Sequence, residues 1–225
     1  DQWFEWQDYL LANEPESPHL VAGDFDGLLA VQGLLFTLGG MHPPQPEQPA
    51  IVAALQATGV TTLVLTSRGD DFRQATAREL IHNGYRFAQT ALPVEGVPNG
   101  CYAPYDLADP AKAGLTRYEV RRFALEEPRP VSYADGIMMT AGQHKGAMLL
   151  TILHHTPSDI RAVVFVDDHG RHVGRVFAAL VARGIEVTTI HYTHEDERVA
   201  EFNYSDKRAV TRQWRDIVDA LEAVA

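Results

Sequence analysis

Four groups of polar residues in this chain have the types and the order that phosphoryl chemistry needs. Asp167 and Asp168 end an apolar run, AVVFV, at residues 162–166. Two adjacent carboxylates repel each other unless a cation lies beside them, and Mg²⁺ is the usual solution where the ligands are hard oxygens. Such a pair can equally cap a following helix. Upstream lie Lys145 in GQHKG, Thr66 and Ser67 in LVLTS, and Asp24 and Asp26 in DFDG. An aspartate can attack a phosphoryl centre to give an aspartyl-phosphate, and a second carboxylate two residues on can serve as general acid and base. A hydroxyl and an ammonium can hold the phosphoryl oxygens and offset their charge. A divalent ion on the Asp pair would bridge nucleophile and phosphate.

These residues act together only if the fold brings them to one edge, and in open α/β sheets that edge is the carboxyl end of parallel strands. The run 162–166 reads as a buried, central parallel strand. Residues 60–65 read as a β-branched strand ending in Thr66-Ser67-Arg68. Residues 131–140 read as a strand leading toward Lys145, and 186–192 as a further strand. Helices expected at 50–57, 72–83, 147–155, 173–183 and 210–223 alternate with them, the first two stopped by Gly59 and Gly84. The alternation predicts an α/β domain with a parallel sheet.

Two stretches fall outside this rhythm. Trp3, Phe4, Trp6 and Tyr9 crowd an amphipathic helix closed by Pro15 and Pro18, an aromatic stripe that serves as core or as a pocket wall. Residues 19–27 read either as a short strand ending in Asp24 and Asp26 or as the start of a helical run over 28–38. Residues 89–130 hold six prolines and three glycines and read as an inserted flap or small cap. The layout is therefore a core of 1–88 and 131–225, helical over its first 45 residues, interrupted by the flap at 89–130.

At 225 residues and 45% hydrophobic, the chain can bury one core with an insert. A net charge of −11 argues against a nucleic-acid or anionic-membrane surface. No apolar run approaches the ~20 residues of a membrane span. Cys101 is the single cysteine, so no internal disulfide forms, and it lacks the basic surroundings of a nucleophile. The pairs His169/His172 and His191/His194 have metal-site spacing without a Cys or HExxH partner. His144 reads as a solvated loop residue, and residues 194–198 as a solvated charged surface. Arg68 can reach a substrate anion or pair with Asp70 or Asp71. A chain starting at Asp1 fits a processed product, so a soluble secreted or periplasmic protein is one expectation, although the compartment is not legible.

Taken in order, DFDG at 24–27, LVLTS at 63–67, the Lys of GQHKG at 145 and VFVDD at 164–168 resemble the four motifs of the haloacid-dehalogenase-like (HAD) superfamily of phosphohydrolases. Their intervals are 42, 79 and 22 residues. The resemblance implies a three-layer Rossmann-like fold with a small cap, and Mg²⁺-dependent hydrolysis of a phosphorylated small molecule or phosphoprotein. It implies Asp24 as nucleophile and metal ligand, Asp26 as acid–base, and Thr66 with Ser67 as phosphate contacts. Lys145 would stabilise the aspartate–phosphate charge, and Asp167 and Asp168 would hold the metal.

The chain is also similar to a bacterial branch of that superfamily in which a DQWF element follows the catalytic DxDxT. Here DQWF stands at residues 1–4. On that alignment the attacking carboxylate lies upstream of Asp1, and Asp24 and Asp26 are polar positions on a helical region. The alternative to an enzyme is a catalytically silent HAD-fold module that binds a partner protein through its aromatic N-terminus and flap. A response-regulator-like phosphoacceptor also uses an acid pair, a Thr and a Lys, but keeps them closer than Thr66 and Lys145 lie here.

Overall fold

In the computed structural model, which describes residues 2–224, the chain begins with α1 (Gln2–Asn13), α2 (Phe25–Leu38) and α3 (Gln48–Ala57). There follow β1 (Val64–Thr66), α4 (Arg73–His82), β2 (Cys101–Tyr102), α5 (Arg117–Arg122), and the strands β3 (Val131–Ala134) and β4 (Ile137–Met139). The remainder is α6 (Lys145–His154), β5 (Ala162–Asp167), α7 (Gly170–Val181), β6 (Glu186–His191), α8 (Asp196–Tyr204) and α9 (Arg208–Glu222). The fold is mixed α/β, and it divides into two compact units. One comprises the chain up to Gly39 together with His194 onward, and the other runs from Gly40 to Thr193.

The first unit is helical. Gln7 of α1 is buried, and its amide is satisfied by donating to the His19 carbonyl (3.0 Å) and accepting from the Val21 N–H (3.1 Å). Trp6 meets Phe202 of α8 edge-on at 6.2 Å, with the Lys207 ammonium 4.6 Å from the Phe202 ring centre. His19 Nδ1 lies 2.6 Å from Thr211 Oγ1 on α9. The aromatic stripe is thus mostly half-buried packing within this unit, with Tyr9 exposed. Of the two readings of residues 19–27, the helical one holds: among the described residues no strand precedes Asp24, and α2 begins at Phe25. The run at 194–198 leads into α8, whose Phe202 turns inward to Trp6. Its polar composition hides the helix from a hydrophobic-periodicity reading.

The second unit carries the strands, in two sheets rather than the single parallel sheet expected. One has the order β1-β4-β3-β2, with only β1 and β4 parallel; the other is the parallel pair β5-β6. The mixed order arises because 131–140 is a hairpin and not one strand. Asp135 and Gly136 both take positive φ (52° and 74°), the backbone of a tight two-residue turn that an Asp-Gly pair favours. The strand expected over 60–65 is regular only from Val64, with Thr62 bridged to Ala91. The β5 strand pairs along one edge and packs one face on α7, so Phe165 is buried while Val164 and Val166 are 69% and 49% exposed. It is therefore not the centrally buried strand that its composition suggests.

The core of this unit gathers Met138, Met148, Ile152, Val176 and Leu180. Leu92, Tyr105, Leu115 and Phe123, from the segment expected as a flap, belong to the same core. Arg183, just past α7, clamps Glu119 of α5 with Nε to Oε1 at 2.6 Å. No helix among the described residues is long and apolar enough to cross a membrane.

The α6 and α7 helices meet at Gly146, where an added Cβ would run into the Arg175 carbonyl and come within 2.8 Å of Ala179 Cβ. Gly146→Ala is therefore expected to lower stability by about 1–3 kcal/mol despite alanine's better helix propensity. Urea denaturation measures this, and an unchanged midpoint would mean that the two helices separate freely.

Candidate functional site

The exit of β1 and the start of α6 are stitched together. Thr140 donates to the Thr66 carbonyl from both its N–H (2.9 Å) and its hydroxyl (2.8 Å). The Ala141 N–H reaches the Arg68 carbonyl (3.1 Å), and the Gly142 N–H reaches that of Ser67 (2.7 Å). Positive φ at Ala141 (49°) and Gly142 (72°) turns the chain so that these donors line up. Lys145 follows as the first residue of α6, and its Nζ reaches Asp167 Oδ2 at the end of β5, 2.6 Å away. Both side chains are under a tenth exposed, at 9% and 6%.

The turn after β5 completes the arrangement. Asp167 Oδ1 accepts from the His169 N–H (2.9 Å), and its carbonyl accepts from the Tyr192 N–H (2.9 Å). Asp168 is exposed, and its carbonyl lies 2.9 Å from His191 Nε2. The cation that an acid pair needs is thus supplied to Asp167 by Lys145.

Three of the four polar groups therefore share one region of the second unit. Asp24 and Asp26 belong to the first unit, at the start of α2. Asp24 is the helix N-cap there, its Oδ1 accepting from the Gly27 N–H at 2.7 Å, and Asp26 lies in the first turn. Thr66 and Ser67 do not act as one pair. Neighbouring residues of an extended chain face opposite ways, and Val64, Thr66 and Arg68 all line one cavity while Ser67 does not. The Thr66 hydroxyl accepts from the Arg68 N–H at 3.3 Å. The Ser67 hydroxyl is buried with no hydrogen-bond partner among the described residues.

Two histidines adjoin Lys145 and Asp167: His172, which the sequence offered only as half of a metal-spaced pair, and His144, which is a half-buried helix cap and not the solvated loop residue expected. His144 is the N-cap of α6, its Nδ1 accepting from the Ala147 N–H (3.1 Å) and its ring stacked on Phe123 at 4.7 Å. Burial, with Arg175 nearby, pulls its pKa down to about 4. The ring is therefore neutral near pH 7, as an accepting Nδ1 requires. His172 on α7 is buried, its Nδ1 has no partner among the described residues, and burial followed by the Lys145 charge lowers its pKa to about 4. A polar residue immediately before an apolar helical run was the available signal for His144 as a cap.

For a metal, the second unit offers Asp167 and Asp168 at the end of β5. One or two carboxylates completed by water is a donor set that Mg²⁺ accepts. Both oxygens of Asp167 are already engaged, by Lys145 and by the His169 N–H. Among the described residues, no three or more His, Cys, Asp or Glu gather as a metal site. His169 and His172 meet edge-on at 5.4 Å without a third ligand.

Residues 1–224 match the model of a family described as protein of unknown function (DUF2608), and the chain belongs to that family. No curated protein and no solved structure matches it.

Removing one partner of a buried ion pair strands the other charge. Lys145→Met is accordingly expected to cost about 3–5 kcal/mol of stability, much of it recovered in the double variant Lys145→Met/Asp167→Leu. Losses that simply add in denaturant unfolding would show the two groups to be uncoupled. His144 gives a pH dependence of definite sign. The unfolded chain takes up its proton near 6.5 and the folded chain only near 4. Its contribution is therefore complete above the upper value and is lost as pH falls toward the lower one. His144→Asn, which keeps a capping side chain, should flatten part of that fall in Tm across this window.

Proposed function

We propose that this member of the DUF2608 family hydrolyses phosphate esters in a Mg²⁺-dependent reaction through an aspartyl-phosphate, on a three-layer Rossmann-like core of HAD type. The observation that supports this most is the buried Lys145–Asp167 pair at the carboxyl end of β5, stitched through residues 140–142 to the exit of β1. A Lys held by a carboxylate at a strand end is poised to share its charge with phosphoryl oxygens. The Ser67 hydroxyl adds an uncommitted donor, and Thr66 a second hydroxyl at the same strand exit. Mg²⁺, when bound, would be held by Asp167 and Asp168 and would offset charge on the phosphoryl group. The sequence resemblance names Asp24 as the attacking carboxylate and Asp26 as the acid–base, and the Asp24→Asn substitution tests that assignment. The substrate is a phosphorylated small molecule or phosphoprotein.

One observation favours a second reading, a catalytically silent module that binds a partner protein. Val164 and Val166 are exposed on β5, which among the described residues has no strand partner along its edge away from β6. Such an edge can accept an extended segment of another protein.

The test is hydrolysis of an aryl phosphate with and without Mg²⁺. Asp167→Asn and Lys145→Met are expected to lower kcat/KM by about 10²-fold or more, with folding checked by circular dichroism and Lys145→Arg retained as a charge-preserving control. Activity abolished by Asp24→Asn identifies the nucleophile, whereas unchanged activity moves that role to another carboxylate. A wild-type chain that neither hydrolyses the ester nor binds Mg²⁺ overturns the enzyme reading in favour of the binding module.

A further inference from the structure

Beside the exit of β1, the second unit carries an open cavity of about 380 Å³ between β1, α3, α4 and the loop at 41–48. Its size falls within the range of small-molecule sites, which are mostly apolar with a few placed polar groups. The walls fit that description: Pro43, Val52, Leu80, Tyr85 and Phe87 supply apolar surface. Thr66 and Arg68 supply polar groups at the strand end.

The loop wall is built in advance. The Met41 N–H donates to Glu79 Oε2 (2.7 Å), and Asn83 Nδ2 donates to the Met41 carbonyl (2.9 Å). The Tyr85 hydroxyl holds Gln48 at 2.6 Å, and the Tyr192 hydroxyl holds Gln45 at 3.0 Å. A wall already fixed by hydrogen bonds spares a ligand the entropy of ordering it.

Both the acidic and the guanidinium group lining the cavity have partners. Glu79 also lines it, but its oxygens accept from the Met41 N–H and, at 2.8 Å, from Arg78 Nε. Arg68 donates through Nη1 to Thr76 Oγ1 (2.9 Å) and through Nη2 to Met41 Sδ (3.6 Å). A thioether is a weak acceptor, so an anionic oxygen would replace a poor bond with a charge-assisted one. Burial also pulls the Arg68 pKa down, the mark of a guanidinium short of water. An anion beside a half-buried guanidinium interacts more strongly than it would in bulk water.

We propose that this cavity binds an organic anion, an aryl or branched aliphatic body carrying a phosphate, phosphonate or carboxylate, with Arg68 on the anionic group and Val52, Leu80, Tyr85 and Phe87 around the body. The site stands on the cavity alone and does not require hydrolysis. Because Thr66 lies in its wall, the same ligand class would be delivered to the β1 exit if the chain is a phosphatase.

Calorimetric titration with phenylphosphonate, which is not hydrolysed, tests it. Saturable binding is expected, weaker by about tenfold or more in Arg68→Met and in the cavity-filling Val52→Phe. Inorganic phosphate, which has no apolar body, should bind at least about tenfold more weakly than phenylphosphonate. Methyl NMR of the wild-type chain needs no variant: ligand-dependent shifts should centre on Val52, Val64 and Leu80. Absence of saturable binding, shifts centred elsewhere, or affinity unchanged in both variants would overturn the proposal. Its failure is separable from that of the phosphatase reading. Phenylphosphonate bound at these methyls without turnover of phenyl phosphate leaves the cavity and removes the phosphatase. Turnover without binding at these methyls does the reverse.

Discussion

Taking a lysine and an aspartate out of water costs several kcal/mol per ion, and only close geometry with further hydrogen bonds offsets it. Lys145 and Asp167 meet that condition at 2.6 Å, with Asp167 also accepting from the His169 N–H. The position of the ammonium makes the demand sharper. Lys145 opens α6, where the helix dipole disfavours a cation by roughly 0.3–1 kcal/mol. Asp167 reverses that disadvantage, so the start of α6, the end of β5 and the turn that follows it are held to one arrangement. A charge placed against the local preference and then buried is the kind of inconsistency expected where function constrains a fold.

The exit of β1 divides two chemistries that its sequence places side by side. Alternation along the extended chain sends Val64, Thr66 and Arg68 into the cavity, while the Ser67 carbonyl is taken by Gly142, close before Lys145. One short strand therefore serves both a largely apolar cavity with a half-buried guanidinium and the region of the Lys145–Asp167 pair. The close approach of α6 to α7 at Gly146, and the shared core that draws in Leu92, Leu115 and Phe123, pack closely around the start of α6.

Much of the fold was legible along the chain. The helices at 50–57, 72–83, 147–155, 173–183 and 210–223 and the strand at 186–192 all appear within a few residues of their expected limits. Apolar periodicity and terminal glycines are local signals, and Gly59 and Gly84 do take the positive φ of helix stops. Where local signals compete, the outcome differs. The Asp135-Gly136 turn lies inside an apolar stretch that reads as one strand. The α8 helix is too polar for its pattern to stand out, and β5 has the composition of a central strand but the neighbours of an edge.

Local pattern along the chain specifies the elements: where most helices run, that an apolar strand ends at Asp167, and that Thr66, Lys145 and the Asp pair fall at element boundaries. Which of these meet is set by the packing of the folded chain. Lys145 and Asp167 are 22 residues apart in sequence, and the Thr140–Thr66 tie spans 74, separations over which periodicity carries no information. Packing also decided that Thr66 and Ser67 part company and that Arg68 lines a cavity. For Asp24 it decided between a strand end and a helix cap. The reason is common to all of these: propensity and pattern act over a few residues, whereas burial and ion pairing are set by the surfaces that the rest of the chain brings alongside.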